Sequence, residues 1–326
     1  MKLKRREFIK NAGIGAAGIV VAPSLLNACG SSDKLFFKIS LAQWSLHRSF
    51  FGGRPDWQEF AQKLNTNPGA LIKGNLDPLD FPVIAKRDYG IDAVEYVNTF
   101  YFDKAKDKEY LKELKNRCDS EGVSSQLIMC DALGNLGDPD DDTRMQVVEN
   151  HYQWVEAAKF LGCHSIRVNA ASDYSLSWDE QMKLASDGLR KLSEFGAKNK
   201  INIIVENHGG ISSNAEWLSG VMETVGMKNC GTLPDFGNFR ISPDEEYDRY
   251  KGMEELMPYA KGVSAKSHEF NSEGDEVNTD FYKVLKIVKD AGFKGYIGIE
   301  YEGSTLSESD GIKATKLLLE KAGATV

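Results

Sequence analysis

From residue 37 onward, eight short runs of β-branched and apolar residues alternate with longer stretches of helical periodicity, and this alternation limits the chain to very few folds. The candidate strands are residues 37–43, 92–97, 124–129, 165–169, 201–206, 231–235, 262–268 and 296–301. Between them lie patterns such as Phe281, Val284, Leu285 and Val288, the i, i+3, i+4, i+7 spacing of a helix with one buried face. Strands that alternate with helices pair in parallel, and eight such units close into an α/β (β/α)8 TIM barrel. An open, doubly wound sheet is the rival, but no G-x-G-x-x-G follows the first strand. Residues 51–82, punctuated by Gly, Asn and Pro, exceed a plain βα connection and predict a lid or a short inserted hairpin. A chain of 326 residues, 41% of them hydrophobic, can bury one full-sized core, so residues 37–326 are expected to form a single barrel domain.

The first thirty residues follow another logic. Arg5 and Arg6 precede an apolar run that ends at Leu26-Asn27-Ala28-Cys29, and a charged start, a short greasy middle and small residues before a cut site make a secretory signal. It is too short to span a membrane. The Arg pair with Phe8, Ile9 and Lys10 resembles a twin-arginine export signal, and the last four residues resemble the bacterial lipoprotein box. Residues 1–29 are therefore expected to direct export to the periplasm. Cys29 becomes the lipidated first residue of the mature chain, and residues 30–36 a short tether. The lipid is then the only membrane contact. Cys118, Cys130, Cys163 and Cys230 show no C-x-x-C pair and are expected to be buried thiols. A formal charge of −8 and a pI near 5.3 oppose a nucleic-acid partner, which needs clustered Lys and Arg. A small neutral or metal-chelated substrate fits better, and homo-oligomerisation stays open.

In such a barrel the chemistry sits at the C-terminal strand ends. The fifth strand ends IIVENHGG, the sixth GTLPDFGNF, the seventh SAKSHEF and the eighth YIGIEYEG, which brings Glu206, Asp235, His268 and Glu300 to one rim. Each follows an apolar stretch, where an isolated charge is costly unless paired or bound to a cation. Three carboxylates and an imidazole suit one divalent metal ion, Mn²⁺, Mg²⁺, Co²⁺ or Zn²⁺, with positions left for substrate. Glu95, Arg167, Asn169 and His208, with Trp44 and His47 after the first strand, are expected to line the cavity and bind substrate. Lys266 is placed to polarise a carbonyl. No G-x-S-x-G elbow, P-loop or basic phosphate clamp appears, which favours unphosphorylated substrates.

Through VENH in the fifth strand and GIEYEG in the eighth, the mature chain resembles the xylose-isomerase-like barrels, in their sugar phosphate isomerase/epimerase branch. The resemblance implies that Glu206 and Glu300 are both metal ligands and proton carriers, that Asp235 is a pure ligand, and that the substrate is a sugar. Proton removal beside the carbonyl then gives isomerisation or epimerisation, or a lyase reaction on 3-keto sugars if a β-substituent leaves. A non-catalytic exported sugar-binding barrel is the alternative from another class. Two departures stand out. Asn238 replaces the His that many relatives carry three residues after the sixth-strand Asp, and Ser264 stands where their seventh-strand His is, leaving His268 to reach the metal from four residues later.

Overall fold

The computed structural model describes residues 35–326. The export segment, Cys29 and residues 30–34 of the tether lie outside the described residues.

The barrel strands are β1 (Lys38–Ala42), β2 (Ala93–Val97), β3 (Ser124–Met129), β4 (Ser165–Val168), β5 (Asn202–Glu206), β6 (Cys230–Leu233), β7 (Val263–Ser267) and β8 (Tyr296–Tyr301). All pair in parallel, in chain order from β1 to β6, with β8 beside β1 and β7 beside β8. Parallel bridges Thr232↔Ala260 and Asp235↔Ser264 join β6 to β7 and complete the circle, with the Ser264 N–H donating to Pro234 O at 2.9 Å. The open doubly wound sheet is thereby excluded. Each strand end falls within two residues of its sequence expectation.

Side chains alternate across each strand, and the two faces have different chemistry. On β8, Ile297 and Ile299 are fully buried apolar residues, whereas Gly298 abuts the Glu95 carboxyl and Glu300 meets Lys266. Polar and small side chains thus occupy the barrel interior, and the branched ones pack beneath the surrounding helices. Those helices start at side-chain caps: Asp107, Asp140, Asn214 and Asp280 each accept a hydrogen bond from a first-turn N–H, and Ser177 forms a full capping box with Glu180. Helix Phe281–Asp290 buries the Phe281, Val284, Leu285 and Val288 stripe.

Two features depart from expectation. Residues 51–82 contain no hairpin. Helix Trp57–Thr66 and two short 3-10 turns fill the segment, because Asp56 caps a stretch with helical rather than alternating periodicity. A hairpin occurs instead after β6, where Arg240–Ser242 pairs antiparallel with Glu245–Glu246. Cys118, Cys130, Cys163 and Cys230 are buried and free.

Candidate active site

The last residue of β5, the next-to-last residue of β8 and the residue two past β6 deliver three buried carboxylates to one point. One oxygen from each of Glu206, Asp235 and Glu300 lies within 4.8 Å of the others. Asp235 is fixed from two sides. Its Oδ1 accepts the backbone N–H groups of Gly237 and Asn238 at 2.8 and 2.9 Å, and its own peptide is clamped by Asn207, whose Oδ1 accepts the Asp235 N–H while its Nδ2 donates to the Asp235 carbonyl. Asn238 also donates to Glu206 Oε1 at 2.9 Å, and Ser264 lies 3.4 Å from Glu300 Oε2.

Two buried cations flank the triad. Arg167 on β4 sits with Nε 2.9 Å from Glu206 Oε2 and reaches Asp131 Oδ1 at 2.5 Å; Lys266 on β7 places its ammonium 2.9 Å from Glu300 and 2.6 Å from Glu302. Burial alone would raise every carboxyl here, and the neighbours decide which ones stay raised. Burial, reinforced by Glu206, pushes Asp235 up to about 6 against the pull of Lys266, and pushes Glu300 well above the carboxylate range. Glu302 is held at about 2 because Lys266 outweighs its burial, and Asp131 at about 2 because Arg167 and His208 do the same. Lys266 and Arg167 are held in their charged forms by the surrounding acids, despite burial that works against charge.

Below the triad, Glu95 on β2 is buried in the barrel interior. Ser40 donates to its Oε1 at 2.6 Å, its Oε2 has no partner, and burial lifts its carboxyl to about 7.

Residues 84–322 match the family model described as xylose isomerase-like TIM barrel. The chain belongs to that family. Solved structures with the same fold include 3-keto-D-glucoside 4-epimerase from E. coli in its apo form (16% identity over 75% of this chain and 94% of that one, TM-score 0.62). IOLI protein with a bound zinc atom is similar at 14% identity over 89% and 99% (TM-score 0.64), and L-ribulose 3-epimerase at 14% over 89% and 95% (TM-score 0.65). No curated protein matches the sequence.

Within this xylose isomerase-like barrel, the structure brings together Glu206, Asp235, Glu300, Lys266 and Arg167, with Asn169 held beside them through Asp131 at 3.0 Å. His268 is not among the triad's neighbours. It lies beyond the end of β7, its N–H directed to Glu276 Oε1 at 3.3 Å, and its side chain lines an adjacent cavity. It stands four residues past Ser264, one past the end of β7, and the structure does not bring it into the group formed by Glu206, Asp235 and Glu300. Exposed His208 lines a separate depression with Asn169 and Tyr174. Trp44 stacks on His47 with ring centroids 5.0 Å apart, and His47 is tied by Nδ1 to the Trp44 carbonyl; both belong to an aromatic cluster with Phe51, Phe100 and Trp57. Asp131 and Glu302 escaped the sequence reading. Both carried the signal that found the others: Asp131 follows the apolar end of β3, and alternation puts Glu302 on the face of Glu300.

The triad fits a divalent cation. Buried Asp235 Oδ2 and Glu206 Oε2 accept no hydrogen bond, although Arg167 Nε lies beside the latter out of alignment. Five carboxyl groups, including Asp131 and Glu302, share two buried cations, Arg167 and Lys266. An all-oxygen donor set of this charge suits a hard ion.

Proposed function

We propose that this protein is a divalent-metal-dependent sugar isomerase or epimerase that transfers a proton at the carbon beside a carbonyl. The observation that carries the reading is the convergence of Glu206, Asp235 and Glu300, with two buried oxygens lacking donors, at the C-terminal mouth of the barrel. Relatives in fold named as 3-keto-D-glucoside 4-epimerase and L-ribulose 3-epimerase support the substrate class.

Glu206, Asp235 and Glu300 would hold the ion, which supplies Lewis-acid polarisation of the substrate carbonyl when bound. The remaining chemistry belongs to side chains of this chain. Glu206 and Glu300 come from strands three apart around the barrel and approach the mouth from different directions, so that they can address different faces of a substrate carbon: one carboxylate takes the proton, the other returns one. Arg167 Nε lies 2.9 Å from Glu206 Oε2 and Asn238 fixes its Oε1, which orients Glu206 for the base role. Glu300, with its raised affinity for a proton, is suited to the acid role. Lys266, charged and buried, lies where it stabilises negative charge developing on the carbonyl oxygen. Asp235, held in one orientation by two backbone N–H groups and by Asn207, offers its free Oδ2 as a fixed ligand. The same acid at Glu300 would protonate a leaving oxygen, so a lyase reaction on 3-keto sugars is the second reading.

Interconversion of ketoses and of 3-keto sugars, followed chromatographically with added Mn²⁺, Mg²⁺, Co²⁺ or Zn²⁺, tests the proposal. Wild type should convert at least one substrate pair only with metal present. Asp235→Asn should lose both bound metal and conversion while melting as a folded protein; full metal content in that variant would remove Asp235 from the site.

A further inference from the structure

A second cavity, of about 530 Å³, shares a wall with the triad. Asn238 lines it and also donates to Glu206. Gly237 lines it, gives its N–H to Asp235 and packs on the Lys266 side chain. A substrate whose reacting carbons sit among the carboxylates therefore has room to extend here. The cavity is roofed by the hairpin inserted after β6, and its chemistry is one-sided. Arg240, Arg249, His268, Asn278 and Thr279 supply donors, Glu246 is the single acid, and no Leu, Ile, Val, Met, Phe, Tyr or Trp side chain lines it.

That composition selects an occupant. Neutral sugar rings bury their C–H faces on Trp, Tyr or Phe side chains, and none of these lines this wall. Two guanidiniums against one carboxylate leave positive charge over, and a guanidinium matches a carboxylate in planar, paired hydrogen bonds. Glu246 marks the binding mode: exposed at the hairpin, it takes Arg249 at 2.6 Å and lies 4.0 Å from Arg240, the position an incoming carboxylate would share. Arg249 is further held against Thr279, so its fork is oriented before a ligand arrives.

We propose that this cavity is a subsite for an acidic sugar, binding a uronate-type carboxylate at Arg240 and Arg249 while the carbonyl end lies at the triad. The inference rests on the proposed proton-transfer function for its substrate orientation, but its binding test does not.

Calorimetric titration of the full mature chain with D-glucuronate, D-glucose and D-glucose 6-phosphate, each with and without EDTA, reads the subsite directly. Glucuronate should bind about tenfold or more tightly than glucose, by the strength of a charge-assisted pair. The preference should survive chelation, which separates it from carboxylate binding to metal, and shrink to about twofold or less in Arg249→Gln and Arg240→Gln. Arg240 is largely exposed and its one hydrogen bond, to Pro243 O, stays within the hairpin, so Arg240→Gln keeps the test valid if Arg249→Gln misfolds. Equal affinity for glucuronate and glucose, or a preference untouched by both substitutions, would overturn the proposal. Tighter binding of glucose 6-phosphate than of glucuronate would also overturn it, in favour of a phosphate site. Glucuronate preference without any catalysed interconversion would leave the subsite standing and remove the proposed activity; conversion of neutral sugars without that preference would do the reverse.

Discussion

Glu95 shows how a single residue ties packing to electrostatics in this barrel. A Cβ added to Gly298 would come within 2.7 Å of the Glu95 carboxyl carbon, so glycine at the centre of β8 is what allows a carboxyl to occupy the interior at all. With the carboxyl raised to about 7 and one oxygen bound by Ser40, its neutral form costs little to bury near neutral pH. Gly298→Ala should therefore destabilise the protein by roughly 1–3 kcal/mol through overpacking. Glu95→Gln, which keeps the shape and the neutral form, should cost much less. Melting curves of both variants and of Glu95→Ala/Gly298→Ala check this: the double variant should be no less stable than Glu95→Ala alone, because the added methyl then has space. A Gly298→Ala protein as stable as wild type would show that the carboxyl is free to move.

Among the elements, helix Asp141–Leu161 carries a buried imidazole with a pH signature of its own. Burial lowers His151 to about 4, opposed by its hydrogen bond to the Val147 carbonyl at 2.8 Å and by Asp131. Between pH 6.5 and about 4 the unfolded chain binds a proton at this residue and the folded chain does not. This contribution to stability is therefore whole above 6.5, declines as the pH falls through that window, and is fully lost below about 4, a change of up to about 3 kcal/mol. Denaturant titrations from pH 7 to 4 should show a shallower acid decline in His151→Gln than in wild type; parallel curves would contradict the buried neutral imidazole. The elements also show what the sequence could disclose. All eight strands were legible because their β-branched runs stay apolar on the face beneath the helices, as Ile203, Val205, Ile297 and Ile299 do. Glu206, Asp235 and Glu300 were legible as charges ending such runs. The separation of His268 from the triad was not legible, because strand alternation gives a side chain's face but not where the strand stops, and β7 ends at Ser267. Asp131 ends an apolar run as the triad acids do, but it lies two residues past β3 and is placed by Asn98 at its N–H and carbonyl, a long-range contact that local pattern does not encode.

For the whole molecule, we propose that a catalytic barrel is carried to the periplasm and tethered there by lipid at Cys29, on the strength of Arg5, Arg6 and the Leu26-Asn27-Ala28-Cys29 segment. Fractionation should find Cys29→Ala released from membranes, since two or more acyl chains anchor stably and their loss leaves no apolar attachment. A variant that stays in the membrane fraction would refute the lipid anchor. The account's centre remains the pair of glutamates that converge at the barrel mouth, and solvent hydrogen reports on them most directly. Metal-loaded protein incubated with a converted sugar in D₂O should place deuterium on the carbon beside the carbonyl. Glu206→Gln and Glu300→Gln should each slow turnover by about a hundred- to ten-thousand-fold, with exchange vanishing in the variant that lacks the base for the proton being read. A wild-type protein that converts or binds the sugar yet leaves that carbon unlabelled, with every metal supplied, would contradict proton transfer by these two residues.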